Sequence, residues 1–180
     1  MKVRRATQDD APALAALAAT SFRDTYVSVV DAEAMDAYVD ENFGLGAIES
    51  QLRDPRSIVL VVASADRLVG YAQLRQAQAP ACVTGAQPAQ LSRLYVSHDV
   101  LGQGIGASLV AAVLQEAAAL GRRTLWLSVY EHNPRAIAFY RKLGFTMVGT
   151  TEFHFGSRVF IDPVMSMPVA LRQVAGNMGC

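Results

Sequence analysis

Leu94-Tyr95-Val96-Ser97-His98-Asp99-Val100-Leu101-Gly102-Gln103-Gly104-Ile105-Gly106 takes an apolar strand end into a glycine loop, and an Ala/Leu/Val-rich segment follows at once. Continued to Phe145, the pattern becomes strand, glycine loop, helix, strand, Asn-led helix and Gly-Phe turn. A glycine loop at the head of a helix presents successive backbone N–H groups, and the helix adds the positive end of its dipole. Together they suit a phosphate or pyrophosphate. Glycine is needed there because a Cβ would hold the ligand off and would forbid some of the φ angles.

Working outward toward the N-terminus, Leu91 to Val96 reads as a strand, and Gln76 to Ala89, rich in Ala, Gln and Pro without a period, as a mobile surface loop. Ile58 to Ala63 and Arg67 to Arg75 are strands joined tightly at Ala65-Asp66, the pattern of a hairpin. Asp31 to Phe43 is a helix with Met35, Tyr38 and Val39 on one side, ended by Gly44 and Gly46, and Ile48 to Arg53 is a short helical piece. Thr7 caps an earlier helix with Asp9 and Asp10 in its first turn, Pro12 near its start and Leu14, Leu17 and Ala18 at helical spacing, after a short strand Val3 to Ala6.

Toward the C-terminus, Ile105 to Leu120 is a helix with Ile105, Leu109 and Val113 on one face and Gly121 as its stop. Thr124 to Tyr130 is a strand, Pro134 to Leu143 a helix capped by Asn133, and Phe145 to Gly149 a strand; Phe153 to Phe160 and Val164 to Val169 form a hairpin-like end. An early hairpin followed by a strand–helix–strand crossover predicts an α/β chain, a mixed sheet with helices on both faces. The expected organisation is one domain over 1–170 and a C-terminal tail over 171–180.

A chain of 180 residues, 52% hydrophobic and 18% charged, is long and apolar enough for one core and too apolar for overall disorder. Sixteen basic and sixteen acidic residues cancel, which gives no support for a nucleic-acid or anionic-membrane partner. No apolar run approaches the roughly 20 residues of a membrane span, and the stretch Met1 to Ala6 lacks an apolar signal region. Cys82 and Cys180 have no motif spacing, so the expected setting is cytoplasmic and reducing. His98, His132 and His154 have no ligand-like spacing with acids or thiols, so no metal site is expected.

These residues resemble the GNAT (GCN5-related N-acetyltransferase) superfamily. Its cofactor loop runs Gln/Arg-x-x-Gly-x-Gly/Ala, and Leu101, Gly104 and Gly106 stand at those places. Its next block runs Asn-x-x-Ala-x-x-Phe-Tyr-x-Lys-x-Gly-Phe, matched throughout by Asn133, Ala136, Phe139, Tyr140, Lys142, Gly144 and Phe145. The resemblance covers nearly the whole chain. Ser21 to Tyr26 with Asp36-Ala37-Tyr38 looks similar to the PaiA-like polyamine branch, a less specific match. Two positions depart from the pattern: Leu101 replaces the loop's first Gln or Arg, and Gln90 stands where many relatives carry a Glu that takes a proton from the amine.

The resemblance implies a mixed, mostly antiparallel central sheet with a splayed strand pair that receives the arm of acetyl-CoA. It implies cofactor binding by Leu94, Tyr95, Val96, Leu101, Gly102, Gln103, Gly104, Ile105, Gly106 and Ala107, and by Asn133, Ala136, Phe139, Tyr140 and Lys142. The Val96 N–H is the implied oxyanion donor and Tyr140 the implied general acid. A phenol near pKa 10 and a thiol near 8.5 exchange a proton at little cost. Phe22, Tyr26, Glu41 and Gln90 are the expected contacts to the acceptor, an amine on a small molecule or a peptide, with a polyamine favoured by Asp24, Asp31, Asp36, Asp40 and Glu41. Glu131, Glu41, Asp24 and His98 are candidate proton acceptors. Relatives are often dimers, which places a homodimer among the expectations.

Two other readings compete. Gly102 to Ala107 also fits the Gly-x-Gly-x-x-Gly/Ala dinucleotide fingerprint, but Ser97 to Leu101 separate it from the strand, and the Asn133–Phe145 block would have no purpose. A non-catalytic module that senses acetyl-CoA or a polyamine is the second, and turnover with any amine separates it from an enzyme.

Overall fold

Ile58-Val59-Leu60-Val61-Val62-Ala63 has no polar side because both of its faces are covered. Leu60 and Val62 pack toward Leu109, Val110 and Val113 of one helix, and Val59 and Val61 toward Leu14, Ala18 and Phe22 of another. A strand buried on both faces reads as a continuous apolar run.

The computed structural model describes residues 2–27 and 29–170; Met1, the expected tail 171–180 and Cys180 lie outside the described residues. The elements are β1 Val3–Arg5, α1 Ala11–Thr25, α2 Ala32–Phe43, α3 Leu45–Arg53, β2 Ser57–Ser64, β3 Arg67–Arg75, β4 Pro88–Val96, α4 Ile105–Ala119, β5 Thr124–Ser128, α5 Pro134–Lys142, β6 Thr146–Phe155 and β7 Arg158–Pro168. They build a seven-stranded sheet in the order β1-β2-β3-β4-β5-β7-β6. Among the described residues only β4 and β5 run parallel; every other neighbouring pair is antiparallel. Helices α4 and α5 cover one face, and α1, α2 and α3 the other. Among the described residues no helix is long and apolar enough to cross a membrane.

The helix ends follow the residues. Asp31 Oδ1 accepts from Ala34 N at 2.8 Å and starts α2. Asn133 Oδ1 accepts from Ala136 N at 3.0 Å and starts α5. Gly121, at φ 68°, closes α4, with Arg122 N donating to Ala117 O at 2.9 Å.

Four expectations are corrected. Thr7 opens a single 3-10 turn, Gln8–Asp10, and α1 starts only at Ala11. Asp10 turns back instead, accepting from Thr7 N at 2.8 Å and pairing with Arg4 at 2.7 Å, which holds its carboxyl down at about 2. Gly46 lies inside α3, which begins at Leu45, so only Gly44 ends α2.

The loop after β3 stops at Gln87, since Pro88-Ala89-Gln90 pair with Thr124-Leu125-Trp126. It is also tethered: Thr124 Oγ1 donates to Ala86 O at 3.0 Å, Arg123 N to Gln87 O at 3.2 Å, and Arg122 to the Gln76 side chain. Lastly, Phe153–Phe160 is not one segment. Gly156, at φ 58°, turns the chain there, and Phe145–Gly149 runs straight on into β6.

Phe155 is 1% exposed and lies within 5.0–6.1 Å, ring to ring, of Phe22, Tyr26, Tyr38 and Phe153. Phe155→Ala is expected to destabilise the fold by about 3–5 kcal/mol, measured by denaturant unfolding.

Candidate active site

The site begins where two neighbouring strands stop pairing. β4 and β5 share three residue pairs, Pro88–Thr124, Ala89–Leu125 and Gln90–Trp126. Beyond them β4 continues against β3 only, and β5 against β7 only. A bulge at the parting explains it. Gln73 pairs with Arg93 and Leu74 with Leu91, which leaves Ser92 as an extra residue. A bulge bends its strand and raises the local twist. Ser92 Oγ donates to Gln73 Oε1 at 3.1 Å, and the buried Gln73 donates from Nε2 to Ser57 Oγ at 2.9 Å, so the bulge is held from behind.

The register fixes which backbone groups face the gap. Ser97 N donates to Val69 O at 2.8 Å, so in the antiparallel alternation Tyr95 and Arg93 bond β3, while Leu94 and Val96 turn their N–H and C=O toward β5. Val129 N donates to Pro163 O at 3.0 Å, so Ser128 by the same alternation turns its groups toward β4. An extended, amide-bearing chain fits between them as a strand would.

The glycine loop lies just past the end of β4. Gly102 at φ 83° and Gly104 at φ 81° occupy the left-handed region, which glycine adopts without strain. Leu101, Gly102, Gln103 and Gly104 are exposed, and Ile105 is buried as the anchor of α4. The first N–H groups of α4, those of Ile105, Gly106 and Ala107, have no intrahelical acceptor. Gly106 is glycine for another reason: a Cβ there would meet Phe139 Cζ at 3.2 Å, so its smallness seats α4 against α5. These groups suit a pyrophosphate followed by an extended arm, as acetyl-CoA has.

Between the strands opens a cavity of about 220 Å³. Leu94, Tyr95, Asn133, Ala136 and Tyr140 line one part; Tyr26, Tyr38, Phe43, Tyr130 and Phe153 form an aromatic wall; Arg93 and Asp162 also reach it. Phe22 is buried behind the wall, its ring 4.6 Å from Tyr26, 4.7 Å from Tyr38 and 5.1 Å from Phe43. Arg93 stacks 4.4 Å over the Phe43 ring and donates to Gln51 Oε1 at 2.7 Å.

Burial pushes the phenols of Tyr26, Tyr38, Tyr95 and Tyr140 up from their ordinary value. The same desolvation lifts the Asp162 carboxyl to about 6. Among the described residues no group of three or more His, Cys, Asp or Glu side chains is placed to hold a metal ion.

The expected residues thus divide. Leu94, Tyr95, Tyr26, Asn133, Ala136 and Tyr140 meet at the cavity, and Val96 aims its backbone at the gap above it. Phe22, Glu41 and Gln90 do not line it: Glu41 is exposed on α2, and Gln90 lies in the short ladder that closes the split. Phe139 packs beneath Gly106, and Lys142 is exposed in the last turn of α5. Sequence reasoning passed over Ser92, Arg93 and Asp162. Asp162 gave one faint signal, a lone acid inside the apolar run Val159 to Met165.

The PaiA N-acetyltransferase of Thermoplasma acidophilum, solved in complex with coenzyme A, superposes with a TM-score of 0.76 at 21% identity over 93% of this chain and 98% of that one. An uncharacterised N-acetyltransferase of Mycobacterium bovis is 35% identical over 156 residues, 87% of this chain and 96% of that protein. The spermine/spermidine N(1)-acetyltransferase of Bacillus subtilis is 31% identical over 72 residues, 39% of this chain and 47% of its own. The model of the acetyltransferase (GNAT) family matches residues 16–145. With its split sheet, glycine loop and capped α5, the chain belongs to that family.

Proposed function

We propose that the protein transfers acetyl from acetyl-CoA to a primary amine of a small cationic molecule, polyamine-like in preference to a peptide, by direct attack with both substrates bound. The observation that carries this reading is the split between β4 and β5, which opens onto an aromatic-walled cavity. Acetyl-CoA brings a carbonyl already activated as a thioester, and the protein's part is to position and stabilise.

In this reading Leu94, Val96 and Ser128 bond the extended arm through their backbones, and the loop from Leu101 to Ala107 holds the pyrophosphate. The exposed Leu101 contributes backbone rather than side chain. Asn133 keeps its capping bond while its amide borders the arm, beside Ala136. The Val96 N–H faces the carbonyl oxygen as charge develops, a contact worth on the order of 3 kcal/mol in other acyl-transfer sites. Tyr140, kept protonated by its burial, gives its proton to the departing sulfur.

The acceptor enters among Tyr26, Tyr38, Phe43, Tyr130 and Phe153, whose ring faces attract a cation. Exposed acids on the same helices, Asp24, Asp31, Asp40 and Glu41, bias approach toward positive charge, while Asp36 pairs with Arg23 at 2.7 Å. The match to a spermine/spermidine acetyltransferase supports the same class.

A free-thiol release assay over an amine panel tests the reading. Spermidine and spermine are expected to release CoA faster than lysine-containing peptides. No release with any amine, alongside tight acetyl-CoA binding, would make the protein a sensing module instead.

A further inference from the structure

Asp162 stands in β7 with 4% of its surface exposed, yet it borders the cavity. Its Oδ1 accepts from Glu131 N at 3.0 Å, and among the described residues no other hydrogen bond reaches the carboxylate. A buried carboxylate held by one backbone N–H is under-satisfied, since it can accept about four bonds. Among the described residues no Lys or Arg pairs with it: the charged and titratable groups around it are Tyr26, just past α1, and Tyr130, Glu131 and the basic His132 between β5 and α5. Arg93, the cavity's cation, is stacked on Phe43 and bonded to Gln51.

We propose that Asp162 takes the proton from the acceptor ammonium and so supplies the neutral amine that attacks. The inference rests on the amine-acetylating reading above. The other acids are worse placed. Glu41 and Asp24 are exposed away from the cavity lining, and Glu131 Oε1 already accepts from Ile161 N at 3.2 Å. Gln90 has no basic atom to offer.

The protons balance. The ammonium gives one proton to Asp162, which later passes it to solvent. The amine lone pair then forms the C–N bond and the C–S bond breaks. Sulfur takes the Tyr140 proton, and the second nitrogen proton restores Tyr140. Burial favours the first transfer from both sides: it lowers the affinity of the ammonium for its proton and raises that of the carboxylate, whose carboxyl sits at about 6.

Asp162→Asn tests this, because Asn retains an Oδ1 to accept from Glu131 N but no longer accepts a proton. Two primary amines of similar size are compared in the full-length protein: a simple alkylamine, protonated at pH 7.5, and a fluorinated analogue, largely neutral there. Asn is expected to lower kcat/KM about 100-fold for the alkylamine, to change the analogue little, and to leave acetyl-CoA affinity by calorimetry intact. Carboxylate ionisation is required, so wild-type kcat/KM is expected to fall as pH drops through about 6. That limb should vanish in Asn and return in Asp162→Glu.

Equal losses on both amines, or lost acetyl-CoA affinity, would make Asp162 a structural residue. No loss on either would remove it from the reaction. Wild-type protein inert toward every amine would instead sink the acetylation reading itself.

Discussion

Tyr140→Phe is expected to lower kcat by tenfold or more while acetyl-CoA affinity holds, the low end for loss of a general acid. The substitution is clean because the ring stays. Tyr140 packs edge-on to Phe139 at 5.3 Å and to Phe145 at 5.6 Å, contacts a phenylalanine also makes. Only the hydroxyl at the cavity is lost. Burial keeps that hydroxyl protonated, and a departing thiolate in the same poorly solvated place is likewise made more basic, so the cost of the transfer stays small. Steady-state kinetics paired with calorimetry reads both quantities. Wild-type kcat in the variant would remove Tyr140 from the role, and a parallel loss of affinity would make its hydroxyl a binding contact.

The second large effect is expected at Gly104. A Cβ added there meets no atom within 4 Å beyond its chain neighbours, so the first carbon of a side chain has open space around it. Two other costs remain. The residue sits at φ 81°, where a β-branched side chain is strained by roughly 1–3 kcal/mol. Its methyls would also project into open space beside the N–H groups that head α4. Gly104→Val is therefore expected to weaken acetyl-CoA binding at least tenfold by calorimetry.

Gly121→Ala supplies the control, since Gly121 also has a positive φ, 68°, with nothing near its missing Cβ, at the other end of the same helix. It is expected to lower stability and leave affinity alone. Unchanged affinity in Gly104→Val would put the phosphates elsewhere.

What was legible in the sequence was local. Asn133 caps its own helix and Gly121 ends its own, so a few adjacent residues suffice to read them. The glycine loop likewise carries its conformational demand in its residues. The Ser92 bulge was not legible, because a bulge exists only relative to a partner strand. Gln90 and Glu41 failed to reach the cavity for a related reason: which way a side chain points depends on where β4 and β5 part and on which side of α2 faces the sheet. Asp162 depends on the whole fold, since β7 brings it to a cavity whose other walls come from α1, α2 and the end of β5. The turn at Gly156 was readable, but the aromatic run on either side of it resembled one continuous strand.

The three pairs that join β4 to β5 have a mechanical meaning. Among the described residues they are the only strand pairing between a four-stranded half, β1 to β4, and a three-stranded half, β5, β7 and β6. Strand pairing is otherwise extensive within each half, so the ladder from Pro88 to Gln90 is the narrowest backbone connection across the sheet, and the apolar core beneath α4 carries the rest of the contact. A guest chain that bonds both halves beyond that ladder would extend the pairing across the split, and is expected to slow amide exchange on both sides of it together.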